Sequence, residues 1–442
     1  MTAHVPTFGG FVAASAAAGR LVVQPRMGFG DPDRMRAGLG RTKAATARTA
    51  GTLTVDSYTR VNDLAGALAA VREGTGLNGY PIATHSPDTT REVLDGLYGA
   101  DFPVQVRHGS ARPDAIIRAL AAAGLDATEG GPVSYCLPYG RTPLRDSVAA
   151  WERACELLAE GARPGAVPHL ESFGGCLLGQ LCPPGLLVAM SVLECVFFAR
   201  HGLRSVSLSY AQQTDAVQDE EALRALHRLA GEFLPAGVDH HVVLYTYMGV
   251  FPHTERGATR LLEASARLAI RSGAGRLIVK TAAEAHRIPT VEENVRALET
   301  AAAAAALAGP PEPLAADPDG EVYQEARTLV ETVLGLHPDL SRALNEAFAR
   351  GLLDVPFCLH PDNAGRSLGF IDPGGRLRWA RTGAMPIRAD PAAGAAPLTS
   401  SGLIAALWHV AGRYDLPGDD DAPGEDEGGG RRERPVVAPL TV

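Results

Sequence analysis

Lysine is almost absent from this sequence of 442 residues. Of its 41 basic residues, only Lys43 and Lys280 are lysine, and the other 39 are arginine. A guanidinium stays protonated in proteins, whereas a lysine ammonium can lose its proton and act as a nucleophile or a base. Because this chain uses arginine wherever a cation suffices, the two lysines are candidates for chemistry that a guanidinium cannot perform.

Clustered positive charge and paired cysteines are also lacking. The formal net charge is −9, of which residues 415–442 contribute −5 through eight acids and three arginines. The remaining body is therefore still acidic, which argues against a nucleic-acid partner, because such binding needs a basic surface. The six cysteines are too sparse for a disulfide scaffold and form no CxxC pair, which fits a reducing cytoplasm.

Long apolar runs and nucleotide-binding loops are missing as well. The most apolar run, 186–199, is shorter than the roughly 20 residues that cross a bilayer, and Glu194 interrupts it. The N-terminus has no basic region of the kind that begins a signal peptide. Neither GxGxxG nor GxxxxGK[ST] occurs. We therefore expect a cytoplasmic protein without a membrane segment, a dinucleotide fingerprint or a P-loop.

What the sequence does contain is a repeat of short β-rich runs and longer helical segments between residues 20 and 310. The predicted strands are 21–24, 52–57, 81–84, 103–106, 127–128, 167–171, 205–209, 241–245 and 277–279. The predicted helices are 33–50, 63–73, 88–98, 113–124, 144–160, 184–200, 220–234, 255–272 and 291–307. Eight or nine such units exceed a usual doubly wound sheet and suit a closed barrel.

The predicted fold class is therefore α/β, with a (β/α)8 TIM barrel at 20–310. An N-terminal segment, 1–19, precedes the barrel. A C-terminal extension, 311–414, combines irregular sequence with helices at 321–334 and 340–350. The acidic stretch 415–442 has the composition of a disordered tail.

Three arginines follow successive predicted strands: Arg26 in QPRMGFG, Arg60 in DSYTR and Arg107 in QVRHGS. Converging guanidiniums can hold a small polycarboxylate through bidentate hydrogen bonds. The alternative is that these are solvated surface arginines, of which the chain has many. Their shared position at the same end of the strands favours a clamp.

A loop rich in Gly and Pro, EGGPVSYCLPY, carries Glu129, Tyr135 and Tyr139. A carboxylate facing an arginine cluster would be ionised, and it could bind a substrate ammonium or act as a base, with the tyrosines as hydrogen-bond donors. The alternative is a structural turn whose tyrosines pack on the barrel rim.

The strand LIVK ends in Lys280, and Glu284 follows four residues later. Such a lysine could form a Schiff base or act as a hydrogen-bonding cation, or it could simply pair with Glu284. Lys43 lies in a predicted helix, where a solvated face is favoured. His169 and Glu171 in PHLESFGG lack a further ligand at metal spacing, and adjacent His240 and His241 would point to opposite faces of a strand, so no metal site is predicted.

The ordered motifs QPRMGFG, DSYTR, LNGYPI, QVRHG, EGGPVSYCLPY, MGVFP and IVKTAAEAHRIPT resemble the large (epsilon, or E) subunit of glutamate mutase, also called methylaspartate mutase, from about residue 20 to 390. The resemblance implies a TIM-barrel isomerase that interconverts L-glutamate and (2S,3S)-3-methylaspartate by radical rearrangement. It also implies adenosylcobalamin, shared with a small sigma subunit in a heterotetramer that contains a homodimer of this chain. The cobalamin-binding motif Asp-x-His-x-x-Gly is incomplete here, since Asp239-His-His241 lacks the glycine.

The resemblance also implies roles for individual residues. It assigns catalysis to Arg107, Glu129 and Tyr139. It assigns substrate binding to Arg26, Arg60, Arg107, His108, Glu129 and Tyr135. It assigns adenosylcobalamin binding to Gly28, Asn78, Pro138, Phe251, Lys280, Glu284 and Ile288, and it assigns no metal ligands in this chain.

Three features depart from the family pattern. The chain begins close to its first strand, Tyr247 replaces a tryptophan, and Arg141 adds a cation beside Tyr139. A modified amino-acid substrate therefore stays open. Two other functions also stay open: a lyase or aldolase that uses Lys280 as a Schiff base, and a non-catalytic subunit that binds dicarboxylates.

Overall fold

Eight parallel strands form the centre of the molecule. The computed structural model describes residues 7–138, 140–161, 165–177, 181–308, 320–390 and 399–416. The strands are β1 (Val22–Pro25), β2 (Gly51–Thr54), β3 (Val104–Arg107), β4 (Ala127–Gly130), β5 (His169–Ser172), β6 (Ser205–Ala211), β7 (Asp239–Tyr245) and β8 (Arg276–Val279). Their order in the sheet is β1-β8-β7-β6-β5-β4-β3-β2.

The sheet closes between its two edge strands. The amide of Val23 in β1 donates to the carbonyl of Arg48 at 2.9 Å, and the amide of Ala50 donates back to Val23 at 3.3 Å. Further along, the amide of Thr54 donates to Met27 at 2.9 Å. With β1 paired to β8 on its other side, the eight strands make a barrel, and the predicted TIM-barrel fold is confirmed.

Helices surround the barrel and extend beyond it. They are α1 (Phe8–Ala17), α2 (Pro32–Lys43), α3 (Ser57–Arg60), α4 (Leu64–Arg72), α5 (Pro87–Leu94), α6 (Asp114–Ala122), α7 (Leu144–Glu160), α8 (Pro184–Arg200), α9 (Ala216–Phe233), α10 (Glu255–Ser272), α11 (Val291–Leu307), α12 (Glu321–Leu336), α13 (Leu340–Arg350), α14 (Ser400–Leu407) and α15 (His409–Asp415). Short 3₁₀ turns occupy Gly174–Cys176 and Ala282–Ala285. Strands β9 (Ser367–Ile371) and β10 (Leu377–Thr382) form an antiparallel pair in the C-terminal extension.

Helix α8 differs from the amphipathic helices around it because it is apolar on every side. All of its residues from Pro184 to Phe198 are buried. It packs on β5 and β6 on one side and on α12 of the C-terminal extension on the other, so it has no face for water. No helix in the described part of the chain combines the length and apolarity that a bilayer span requires.

Helix α1 covers the end of the barrel opposite the strand carboxyl ends. Its Phe8, Phe11 and Val12 form a buried cluster with Val22, Ala50 and Ala127. Phe8 also stacks on His169, with ring centroids 5.0 Å apart. The predicted N-terminal segment thus contains a helix that seals the barrel floor.

Two predicted strands and three predicted helices need correction. Residues 81–84 do not form a strand, because Pro81 has no N–H to donate to a ladder and the amides of Ile82 and Thr84 bond locally to Tyr80 and Pro81. The predicted strand 52–57 ends at Thr54, because Asp56 caps α3 by accepting from the amides of Tyr58 and Thr59. Helix 33–50 ends at Lys43, because residues 49–54 form strand pairs with β1 and β3 instead.

The predicted helix 88–98 ends at Leu94, and the predicted helix 220–234 begins at Ala216, whereas the other predicted boundaries lie within two residues of the observed ones. Helices α7, α8, α10, α11 and α13 begin and end at the predicted residues. The predicted tail begins at residue 415, but Asp415 is the last residue of α15 and accepts hydrogen bonds from the amides of His253 and Thr254 at 2.9 and 3.0 Å. Residues 417–442 lie outside the described part of the chain.

Candidate active site

A cavity of about 590 Å³ opens at the carboxyl ends of the barrel strands. All six residues expected to bind substrate, and three of the seven expected to bind cofactor, share it. They are Arg26, Arg60, Asn78, Arg107, His108, Glu129, Tyr135, Glu284 and Ile288. The parallel direction of the strands explains this convergence, since residues at the ends of β1, β3 and β4 must meet at one rim.

The innermost part of the cavity is a buried ion pair. The Nε of Arg107, the last residue of β3, lies 2.6 Å from Oε2 of Glu129 in β4, and both side chains are almost inaccessible. Burial disfavours the charged guanidinium, but the adjacent Glu129 outweighs it and raises the pKa of Arg107 well above its ordinary value. Tyr135 donates its hydroxyl to the other oxygen of Glu129. With these donors Glu129 is held as an oriented carboxylate.

Tyr245, the last residue of β7, connects this pair to the barrel floor. Its hydroxyl lies 2.9 Å from Oε2 of Glu129 and is also hydrogen-bonded to Glu171. Arg107 donates to the same hydroxyl at 3.2 Å. Since one O–H can donate to only one acceptor at a time, Glu129 and Glu171 share the Tyr245 proton.

The floor itself is polar rather than aliphatic. Arg276 at the start of β8 pairs with Glu171, and both side chains are fully buried. Gln24 accepts from Arg276 at 2.6 Å and donates to Gln105 at 2.9 Å, and Gln105 donates to Glu171 at 3.2 Å. This buried network satisfies the two charges and gives Glu129 a rigid support from below.

His108 lies next to the ion pair as a neutral ring. Its Nδ1 accepts from the amide of Ser110 at 3.1 Å, which assigns the proton to Nε2. Burial, and to a lesser extent Arg60, lowers the pKa of His108 to about 3. The ring stacks on Trp151 with centroids 5.8 Å apart, and its Nε2 is buried with no partner among the described residues. It is therefore a free neutral donor beside the cavity.

The two remaining arginines differ in their partners. Arg26 pairs with Glu284 at 2.9 Å, and Glu284 also accepts from the amide of Thr281 at 3.1 Å. Within the described residues Arg60 forms no ion pair, and its Nε is buried without an acceptor. Two of the three guanidiniums thus already hold a carboxylate, whereas Arg60 has its charge available for a ligand.

Lys280 borders an adjoining cavity of about 370 Å³. Its Nζ lies 4.1 Å from the centroid of the Phe251 ring, and His286 and Arg287 line both cavities. Burial lowers the pKa of Lys280 to about 8, while Glu284 opposes the change. Glu284 forms its ion pair with Arg26, and within the described residues its effect on Lys280 is a longer-range attraction rather than the simple Lys280–Glu284 ion pair of the alternative.

The other predicted residues occupy varied places. Gly28 does not line the main cavity: an added Cβ would lie 2.2 Å from the carbonyl of Thr54, so glycine lets the loop after β1 pass close to the end of β2. Pro138 is half-buried, and Tyr139 lies outside the described residues. Lys43 is half-buried on α2 and donates to the carbonyl of Leu97 at 2.9 Å.

Sequence reasoning missed Tyr245 and gave Glu171 no role in the site. A usable signal existed for Glu171, because it is paired with Glu129 in the β4–β5 register, and residues in register on neighbouring strands share a face of the barrel. Tyr245 ends a strand, as Arg107 does, but tyrosine is common in strands and its residue type gave no signal.

Comparison with known proteins gives one consistent result. The sequence pattern of the family described as methylaspartate mutase E chain (MutE) matches residues 5–394. The glutamate mutase epsilon subunit of Halobacterium salinarum is 34% identical over 346 residues, covering 76% of this chain and 71% of that protein. The epsilon subunit of Yersinia enterocolitica is 32% identical over 354 residues, covering 76% and 72%.

Solved structures of other barrels are more distant. A putative fructose-1,6-biphosphate aldolase from Coccidioides immitis is 12% identical and covers 67% of this chain and 93% of that chain, with a TM-score of 0.34. This likeness is too low to bear on function.

Proposed function

This chain belongs to the methylaspartate mutase E chain family, and on that premise we propose that it is the catalytic subunit of an adenosylcobalamin-dependent glutamate mutase. The reaction is the radical interconversion of L-glutamate and (2S,3S)-3-methylaspartate, an isomerisation. The observation that carries the proposal is the gathering of Arg26, Arg60 and Arg107 around Glu129 in one cavity.

The charges of the cavity suit an amino acid with two carboxylates. Arg60, whose guanidinium has no ion pair in the described structure, and the free Nε2–H of His108 would receive one carboxylate. The guanidinium atoms of Arg107 and Arg26 that do not contact Glu129 or Glu284 would receive the other. Bidentate guanidinium–carboxylate contacts fix orientation as well as charge, so the substrate would be held with little freedom.

Glu129 would bind the substrate ammonium and exchange a proton with it. The carboxylate already accepts from Arg107 and Tyr135, and it competes with Glu171 for the Tyr245 proton. A substrate ammonium is a stronger donor to Glu129 than the neutral phenol. When the substrate binds, the Tyr245 hydroxyl would therefore donate its hydrogen bond to Glu171. Glu129 could then take up a proton from the ammonium without a change in the position of its backbone.

The remaining lining residues fit an adenosylcobalamin that approaches from outside the barrel. A cavity of about 590 Å³ encloses an amino acid but not a corrinoid, and Lys280 and Glu284 offer a donor and an acceptor of the kind a ribose diol binds. Asn78 and Ile288, which line the cavity, and Gly28, Pro138 and Phe251, which lie outside its lining, would complete that side. When bound, the cofactor supplies cobalt–carbon homolysis, the source of the radical.

The contribution of this chain is then to orient the substrate and exclude water. Tyr135, Phe173 and Tyr245 are buried around Glu129, and α1 seals the far end of the barrel. When the reacting groups are already fixed and water is excluded, less entropy is lost on the way to the transition state.

A small cobalamin-binding sigma subunit is the proposed partner, because the Asp-x-His-x-x-Gly motif is incomplete in this chain. We place two copies of this chain in the resulting heterotetramer, acting in the cytoplasm. The Schiff-base function of Lys280 keeps one favourable observation, its lowered pKa, but Lys280 lines the adjoining cavity and not the one that holds the three arginines.

The test is reconstitution. The purified chain, a sigma-type subunit, adenosylcobalamin and L-glutamate should yield 3-methylaspartate by proton NMR, together with a cob(II)alamin–organic radical signal by electron paramagnetic resonance. A Glu129→Gln chain is the matched control, with turnover lost and substrate binding partly kept.

Two results would overturn the proposal. Trapping of a carbonyl substrate on Lys280 by borohydride, without mutase product, would favour the lyase. Glutamate binding to the wild-type chain that Glu129→Gln leaves undiminished, with no turnover by the wild-type chain in any reconstituted mixture, would favour a non-catalytic binding subunit.

A further inference from the structure

Glu194 is an acidic residue in the middle of the apolar helix α8, where burial raises the pKa of its carboxyl to about 7 although its hydrogen-bond donors oppose the shift. Its side chain is fully buried, and α8 contains no other acid. Taking a carboxylate out of water costs several kcal/mol, far more than an alanine or leucine would cost at this place. Such a residue needs a compensating role, and none of the substrate contacts above involves it.

Four hydrogen bonds surround the Glu194 carboxylate. The amides of Val133 and Ser134 donate to Oε1 at 3.1 and 2.9 Å. The hydroxyls of Ser134 and Ser172 donate to Oε2 at 2.9 and 2.8 Å. Gly131 lies so close that an added Cβ would be 2.1 Å from the carboxylate. The glutamate therefore fills the space beneath the loop that leads from β4 to α7.

Both segments that Glu194 holds continue directly into aromatic residues of the cavity. Ser134 precedes Tyr135, which donates to Glu129, and Ser172 precedes Phe173. The Tyr135 and Phe173 rings contact each other, with centroids 5.0 Å apart, and both line the cavity. One carboxylate thus joins the loop after β4 to the end of β5, and the next residues of these two segments meet beside Glu129.

We propose that Glu194 is a positioning residue of the active site, which sets Tyr135 and Phe173 against the substrate and Glu129 by anchoring Ser134 and Ser172. The inference rests on the proposed function, since it takes the cavity to be a glutamate site. A carboxylate suits the task because it only accepts hydrogen bonds and can hold four donors at once. Glutamine has nearly the same shape, but its NH₂ group would face either the two amides, which cannot accept, or the two hydroxyls, which would have to turn and accept instead of donate.

The experiment is a double-mutant cycle in the reconstituted complex, using Glu194→Gln, Tyr135→Phe and the double variant. Glu194→Gln should lower kcat/KM for glutamate at least tenfold. In the Tyr135→Phe background the same change should lower it less than threefold, because the hydroxyl being positioned is already absent. An equal loss in both backgrounds, or no loss, overturns the proposal.

Asp354→Asn is the matched control. Asp354 is also fully buried, and it anchors a loop of the C-terminal extension by accepting from the amides of Gly365, Arg366 and Ser367 at 2.7 Å. Asp354→Asn should reduce stability but leave kcat/KM of the folded fraction within twofold. If it lowers kcat/KM as much as Glu194→Gln does, the Glu194 effect is one of general stability and the proposal is wrong.

Two further measurements cover misfolding and failure of the proposed function. If Glu194→Gln does not fold, Ser134→Ala removes one of the four bonds and should give a smaller loss of kcat/KM with the same dependence on Tyr135. If the wild-type complex does not use glutamate, the proposed function fails. Hydrogen exchange of residues 131–138 in the full chain then tests the anchoring alone: unchanged exchange in Glu194→Gln rejects it, and faster exchange at Val133 and Ser134 supports it.

Discussion

The guanidinium of Arg26 and the carboxylate of Glu284 form an ion pair of 2.9 Å across 258 residues of sequence. Arg26 follows the first barrel strand, and Glu284 lies in the turn after the last, so the pair joins the carboxyl ends of the neighbouring strands β1 and β8. It also joins a residue expected to bind substrate to one expected to face the cofactor. A substrate carboxylate bound to Arg26 therefore changes the charge that the cofactor encounters at Glu284, and the reverse also holds.

Glu284→Gln should release Arg26 for the substrate. Since the two side chains are 32% and 15% exposed, their pair contributes only ~0.5–1 kcal/mol, and we expect the Kd for glutamate to fall about two- to fivefold. Turnover in the reconstituted complex should decrease. Calorimetric titration of the variant with glutamate checks the first part, and weaker binding would show that Glu284 itself supports the substrate site.

Arg107→Ala and Arg60→Ala should separate binding from stability. Removing Arg107 leaves Glu129 buried without its cation, which should cost about 3–5 kcal/mol of unfolding free energy in addition to glutamate affinity. Arg60 has no ion pair in the described structure, so its removal should weaken binding by ~1.5–3 kcal/mol and leave stability almost unchanged. Urea unfolding and calorimetry on both variants make the comparison, and equal stability losses would contradict it.

The sequence predicted the barrel well because helical and strand periodicity are local properties. α7, α8, α10, α11 and α13 have clear apolar and polar signals at both ends, and their limits agree with the structure. The segment 81–84 is β-rich in composition, but Pro81 removes the donor that a strand needs there. A prediction from composition alone does not take the missing N–H of Pro81 into account.

The site was predictable only in part, for a different reason. Arg26, Arg60 and Arg107 recur after successive strands and could be recognised by position. The partner of Glu284 could not be predicted in this way, because two cations, Lys280 and Arg26, were available. Which of them pairs with Glu284 depends on the distance between β8 and β1 at the barrel mouth. The Tyr245–Glu171–Arg276 chain depends likewise on register across four strands, which no local pattern encodes.

Tyr245→Phe should disconnect Glu129 from the floor. The variant loses the hydroxyl that contacts Glu129 and Glu171, and we expect a loss of about 1 kcal/mol in stability together with a reduced kcat for glutamate. Tyr247→Phe is the control, because the Tyr247 hydroxyl is buried without a partner in the described structure. Its loss should leave unfolding free energy equal or slightly higher. Similar effects of the two changes would argue against a linking role for Tyr245.

Lys280→Met should stabilise the free chain in a pH-dependent way. A pKa of about 8 in the folded chain, against an ordinary value of 10.5, means that the buried ammonium is unfavourable at pH 7 by ~3 kcal/mol. That penalty is complete below pH 8, decreases as the folded chain loses the proton, and vanishes above pH 10.5. The gain from Lys280→Met should thus be largest at pH 7 and fall by about half at pH 9.5. Lys43→Met, which removes the bond to Leu97, should give no gain at either pH. Urea unfolding at the two pH values measures both variants, and a gain for Lys280→Met that does not decrease with pH would mean that the ammonium is not the source of the strain.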